Sequence, residues 1–105
     1  MTDDKAVWLG VDLGTQSVRA LAVTASGEIA GSGVHGLTGR REEGRHEQDP
    51  EHWWRATAAA CGQALEGLPP GAVRAVAVDG TSGTVLLTDD NGGPLTPGAP
   101  APQTR

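Results

Sequence analysis

The sequence predicts an α/β fold: three consecutive strands, a crossover helix, then a fourth strand and a short fifth. Three observations carry this. An apolar run of strand length, Val7 to Leu13, is followed by alternating segments bounded by turn residues. One helical stripe starts behind Asp49-Pro50. Strand-like runs then return after Pro69-Pro70-Gly71.

Val7 to Leu13 is interrupted only by Gly10 and Asp12, which suits a central strand buried on both faces. Val18 to Thr24 sets Val18, Ala20 and Ala22 against Arg19, Leu21 and Val23, the alternation of a second strand. Ala25-Ser26-Gly27-Glu28 has the size of a hairpin turn. Ile29 to Gly36 follows as an edge-type strand, because Gly31 and Gly33 weaken it and mark a bulge or a close backbone approach.

Leu37 to Gln48 is polar and charged without periodicity, so it reads as a surface loop with Arg40, Arg41, Glu42 and Glu43 solvated. Asp49 is placed as helix N-cap, Pro50 at the first helical position and Glu51 in the first turn. Trp53, Thr57, Ala60, Cys61, Ala64, Leu65 and Leu68 form the predicted buried stripe. Trp53 and Trp54 are expected to pack the helix on the sheet. Gly67 and Pro69-Pro70-Gly71 stop it. Val73 to Val78 and Thr84 to Thr88 are the remaining strands, with Asp89 to Gly93 a turn. Residues 99–105 are expected to be an extended or disordered tail.

Composition bounds the partners. Eight Lys and Arg against 13 Asp and Glu give a net charge of −5, and no basic cluster exists to hold nucleic acid or an anionic membrane. No apolar run approaches the roughly 20 residues that span a bilayer. Met1-Thr2-Asp3-Asp4 has no signal-peptide character, so a cytoplasmic protein is expected. Nineteen Leu, Val and Ile, with no Phe or Tyr, predict a thin core of Val, Leu, Ala and the three Trp. Cys61 is the single cysteine, and His35, His46 and His52 form no ligand-spaced pair with it or each other, which argues against zinc.

Two motifs carry chemistry. Asp12-Leu13-Gly14-Thr15-Gln16-Ser17 joins the first two strands and puts a carboxylate, a glycine and several hydrogen-bonding groups in one turn. Such a turn can hold phosphate on its N–H groups and Mg²⁺ through the Asp12 carboxylate. It also reads as an ordinary hairpin. It is not a Walker A loop, for it lacks the lysine and leads into a strand. Asp79-Gly80-Thr81-Ser82-Gly83-Thr84 lies at the carboxyl end of the fourth strand, where open α/β sheets place ligand crevices, and its hydroxyls and freed amides suit a polyol or simply a tight turn. Ser82 has no nucleophile-elbow spacing, which argues against a serine hydrolase.

Three segments, in order, resemble the amino-terminal part of the FGGY carbohydrate kinases of the ribulokinase/xylulokinase kind. They are Leu9 to Ala20 (LGVDLGTQSVRA), His46 to Trp54 (HEQDPEHWW) and Val76 to Leu87 (VAVDGTSGTVLL), and the likeness covers residues 6–98. The resemblance implies a ribonuclease-H-like, actin-like mixed sheet whose first three strands are antiparallel. It implies phosphorylation of a ketopentose-like sugar by ATP, both bound in a cleft between two such domains. Asp12 would then position Mg²⁺, Gly14, Thr15, Gln16 and Ser17 would face the ATP phosphates, and Thr81, Ser82 and Gly83 would contact the sugar. The Asp79-Gly-Thr-Ser-Gly-Thr loop leans toward ribulokinase-like members.

The departures define the rest of the expectation. The general base, the second phosphate loop and the adenosine pocket of the family lie beyond Arg105, and Gln103 stands where a sugar-binding aspartate is expected. The chain is therefore expected to be an inactive fragment, completed by the missing remainder of a kinase or associating with itself. Two rivals are a truncated binding module without catalysis and another actin-like ATPase. The Glu47-Gln-Asp-Pro-Glu-His-Trp-Trp54 helix start speaks against the second.

Overall fold

A computed structural model describes residues 5–38, 40–42, 45–47, 49–80 and 84–100. Strands β1 (Val7–Leu13), β2 (Ser17–Thr24) and β3 (Ile29–Gly36) form an antiparallel meander, and after helix α1 (Pro50–Ala64) the chain returns as β6 (Val73–Gly80), parallel to β1. The sheet order is β3-β2-β1-β6. This is the mixed α/β arrangement expected. Between β3 and α1 lie the short strands β4 (Arg40–Glu42) and β5 (Arg45–Glu47), paired as a hairpin within the segment read as a loop.

Local chemistry places the elements. Gly27 takes φ 90°, which an L side chain resists, and Thr24 and Glu28 close the β2–β3 turn around it through the Glu28 carbonyl, 2.8 Å from the Thr24 N–H. Asp49, extended at φ −82°, accepts the Glu51 N–H on Oδ1 at 3.0 Å, so one orphan donor of the helix start is satisfied. Pro50 occupies the first turn, where its missing N–H costs nothing.

One face of the sheet carries the core. Leu9 and Val11 from β1, and Val18 and Ala20 from β2, are buried against Ala56, Ala60 and Ala64 of α1. Val7, Ala22 and Ala72 form a second small cluster beside Leu65, Leu68 and Val73. The helix stripe is thus centred on three alanines, one step round from the predicted line through Trp53 and Thr57. The reason lies in β3. An ideal Cβ on Gly31 would drive into the Ala64 carbonyl oxygen, and one on Gly33 into that of Ala60. Glycine on the strand and alanine on the helix let the two backbones meet, so a thin core is closed by proximity instead of bulk.

The other sheet face has no helix over it among the described residues. Trp8 (42 % exposed), Leu21 and Val34 stand open there, so β1 is buried on one face and not on both as its composition suggested. Trp54 is 70 % exposed and so does not supply the helix-to-sheet packing predicted for it, while Trp53 is half-buried and lies over Gly98 near the carboxyl end of the described chain. The predicted fifth strand shrinks to β7 (Thr84–Val85). It pairs with β8 (Ala99–Pro100) apart from the main sheet, and so adds no fifth strand to it. Between them Asp89 Oδ1 accepts from the Asn91 and Gly93 N–H groups at 2.9 and 2.8 Å, holding the expected turn, with Gly92 at φ 82°. Ala99 and Pro100 of the stretch read as a tail lie in β8; residues 101–105 are outside the described residues.

Candidate functional site

Because β1 and β6 run parallel in register, their carboxyl ends finish side by side, with Leu13 beside Gly80 and Asp12 beside Asp79. In such a sheet, paired residues project from the same face. Asp12 and Asp79 are both exposed, on the face without a helix. Arg19 lies directly across from Asp12 on β2 and shares that face. The three line a hollow of about 670 Å³ together with Gly10, Leu21 and Val34.

The two carboxylates stand side by side across the β1–β6 pair. The Asp12 carboxylate accepts a hydrogen bond from protonated Asp79 and repels its ionised form, and the two effects, in that order of size, hold the Asp79 carboxyl above the usual aspartate range. When both are ionised, such a pair is a ready acceptor of a hard cation, which relieves their repulsion. Among the described residues no group of three or more His, Cys, Asp or Glu could enclose a metal. Two carboxylates suit Mg²⁺ nevertheless, since that ion is held through one or two carboxylates with water and phosphate oxygens completing its shell.

The turn after β1 is a tight hairpin: the Gly14 N–H donates to the Ser17 carbonyl at 2.9 Å. The Gly14 amide is therefore committed to the turn, and what Gly14 offers a ligand is its lack of a side chain. A Cβ there would lie 3.0 Å from the Ser17 carbonyl oxygen. Thr15 and Gln16 stand exposed at the tip, Ser17 half-buried behind them. The Gln16 carbonyl accepts the Leu37 N–H at 2.8 Å, which pins the turn to the end of β3. Thr81, Ser82 and Gly83 lie outside the described residues; Gly80, which precedes them, ends β6 beside Leu13.

The model of the FGGY family of carbohydrate kinases, N-terminal domain, matches residues 7–100. The chain belongs to the FGGY family. The xylulose kinase of Streptomyces coelicolor is 38 % identical over 90 residues, which is 85 % of this chain and 18 % of that protein. The xylulose kinase of Staphylococcus epidermidis is 32 % identical over 94 residues, 87 % of this chain and 19 % of the relative. Among solved structures, xylulose kinase from Rhodospirillum rubrum superposes with a TM-score of 0.76 at 26 % identity, covering 88 % of this chain and 20 % of that one. Plasmodium falciparum glycerol kinase with ADP shares the fold at a TM-score of 0.74 and 20 % identity. The chain thus spans about a fifth of the length of these FGGY relatives. The two sequence relatives named are xylulose kinases, whereas the Asp79 loop leaned mildly toward ribulokinase-like members.

Two residues of this candidate site had no assigned role in the sequence reading. Asp79 was visible in its motif, but only the parallel register shows that its carboxylate meets that of Asp12. Arg19 was one of the alternating residues of the second strand, and its position opposite Asp12 is a product of antiparallel pairing. The hairpin size of the first turn was the sequence signal that could have found Arg19.

Proposed function

We propose that this chain is the phosphate- and sugar-facing part of an ATP-dependent kinase for a ketopentose-like sugar, and that it does not turn over alone. The observation that carries the reading is the Asp12–Asp79 carboxylate pair at the joined carboxyl ends of β1 and β6, on the open sheet face. Asp12, with Asp79 beside it, would hold Mg²⁺, which supplies charge neutralisation for the transferring phosphoryl group. Gly14, Thr15, Gln16 and Ser17 would face the ATP phosphates, and Thr81, Ser82 and Gly83 the sugar hydroxyls. Arg19, across from Asp12, adds a planar cation suited to phosphate oxygens. A cytoplasmic setting, where ATP and Mg²⁺ are at hand, goes with this function.

On the same reading the chain would not turn over by itself. Phosphoryl transfer is catalysed mainly by positioning and electrostatics, and a general base within hydrogen-bond reach of the sugar hydroxyl is part of that positioning. No third carboxylate or histidine joins the Asp12–Asp79 pair among the described residues. Two measurements test the proposal. MgATP added to the ¹⁵N-labelled chain should shift the amide signals of residues 12–17, and Asp12→Asn should abolish the shifts; unshifted signals in the wild type would overturn the phosphate assignment. A coupled ADP-release assay over a panel of pentuloses should show no turnover. Turnover abolished by Asp12→Asn would show that the chain is catalytically complete.

A further inference from the structure

Helix α1 runs antiparallel to β3, and two strides govern their contact. Every second residue of a strand faces the same side, roughly 6.7 Å further on, and every fourth residue of a helix returns to nearly the same side after about 6 Å. Gly31 meets Ala64 and Gly33 meets Ala60, each glycine so close that an added Cβ would strike the helix carbonyl. The next strand position in the row is His35, which pairs with the buried Val18 and so shares the helix-facing side. The next helix positions are Ala56 and His52. Where the row ends the two imidazoles meet, with ring centroids 6.1 Å apart and planes at 86°. Both residues are half-buried. Their separation in the sequence gave His35 and His52 no relation to each other; the packing of β3 on α1 does.

We propose that His35 and His52 form a two-histidine site for a divalent transition metal of the zinc class, which clips the carboxyl end of β3 to the first turn of α1. The proposal is independent of the kinase reading and of the Asp12–Asp79 pair, which is on the other face of the sheet. The orientation of His35 carries it beyond a ring contact. Its Nδ1 lies 3.0 Å from the Gly36 carbonyl oxygen. A carbonyl only accepts, so Nδ1 holds the proton and the neutral ring presents Nε2 as a lone pair. Imidazoles that bind metals are fixed in this way, the second nitrogen donating to a carbonyl or carboxylate. Two imidazoles on one ion, with each metal–nitrogen bond about 2.0 Å, set their centroids roughly 5–6 Å apart. The observed spacing reaches that range with a small rotation of either side chain. Among the described residues no third histidine, cysteine or carboxylate joins the pair, so water completes the coordination shell. Nitrogen donors favour Zn²⁺ and Ni²⁺ over Mg²⁺, which takes oxygen ligands.

Zinc titrated into the ¹⁵N-labelled chain tests this, with Mg²⁺ in excess to occupy the carboxylate pair. The imidazole nitrogen signals of His35 and His52 should shift together, and those of His46 should stay in place. By isothermal titration calorimetry, His35→Gln and His52→Gln should each weaken zinc binding at least about tenfold. His46→Gln and Cys61→Ser should leave it unchanged. Zinc at several times its dissociation constant should raise the wild-type melting temperature by about 4–8 °C, because the ion joins two elements that part on unfolding, and neither glutamine variant should respond. Unmoved His35 and His52 signals, binding that either glutamine leaves intact, or binding that His46→Gln or Cys61→Ser abolishes would each overturn the proposal and leave the ring contact as packing. If a glutamine variant fails to fold, the imidazole shifts of the wild-type chain decide alone.

Discussion

Asp79 is the residue whose behaviour most directly reports the site. Its carboxyl binds a proton more tightly in the folded chain than in the unfolded one, because Asp12 accepts the hydrogen bond and repels the charge. Between the ordinary aspartate value and the raised one, the folded state therefore holds more protons. By linkage, stability falls as pH rises through that window and stays reduced above it. Asp79→Asn should remove this component, flattening the acid side of the melting-temperature profile and raising the melting temperature at neutral pH. A thermal melt series from acid to neutral pH checks it, and a variant whose profile parallels the wild type would show that the pair is not coupled. Mg²⁺ should raise the wild-type melting temperature at neutral pH and leave Asp79→Asn less affected, since a bound cation relieves the same repulsion.

At the scale of elements, the contact between α1 and β3 decides whether this small core closes. Gly33→Ala places a methyl against the Ala60 carbonyl and 2.8 Å from Gln63 Cβ, where neither backbone can yield without lifting the helix. The expected cost is about 1–3 kcal/mol, typical of overpacking, measured as a lower urea midpoint. Gly10→Ala is the control, for a Cβ there meets nothing within 4 Å. The strands, the helix and its Asp49-Pro50 start were legible in the sequence, because alternation, capping and stop signals act over a few residues. The helix face was legible only in part. Its period was right, but its centre moved to Ala56, Ala60 and Ala64 because the partner surface is glycine, which a single-helix pattern cannot reveal.

At the scale of the whole molecule, residues 84–100 are joined to α1 through one contact of unusual closeness. Gly98 is buried beneath the Trp53 indole, and a Cβ on it would enter the ring. Gly98→Ala should therefore release this segment from the helix start while leaving the main sheet intact. Tryptophan emission should shift to the red as the Trp53 indole becomes exposed, with little loss of strand signal in far-ultraviolet circular dichroism, and the shift should be absent in a Trp53→Phe background. An unchanged emission spectrum would show that the segment holds by its β7–β8 and β5 contacts instead.

By itself the sequence determined which segments form strands and helix, where the turns fall, and which family the chain resembles, since each depends on neighbouring residues or on a motif readable in order. The β4–β5 hairpin escaped it, having no apolar alternation to announce a strand, as did the separation of β7 from the main sheet. Tertiary structure alone decided which residues from distant segments share a face. Asp79 meets Asp12, Arg19 stands across from it, and Val76 and Val78 remain uncovered only because β6 enters parallel beside β1 while α1 settles over β2 and β3. Register in a sheet is set by long-range pairing, and a shift of β6 by one residue would turn Asp79 to the face opposite Asp12. No local pattern in the chain carries that choice.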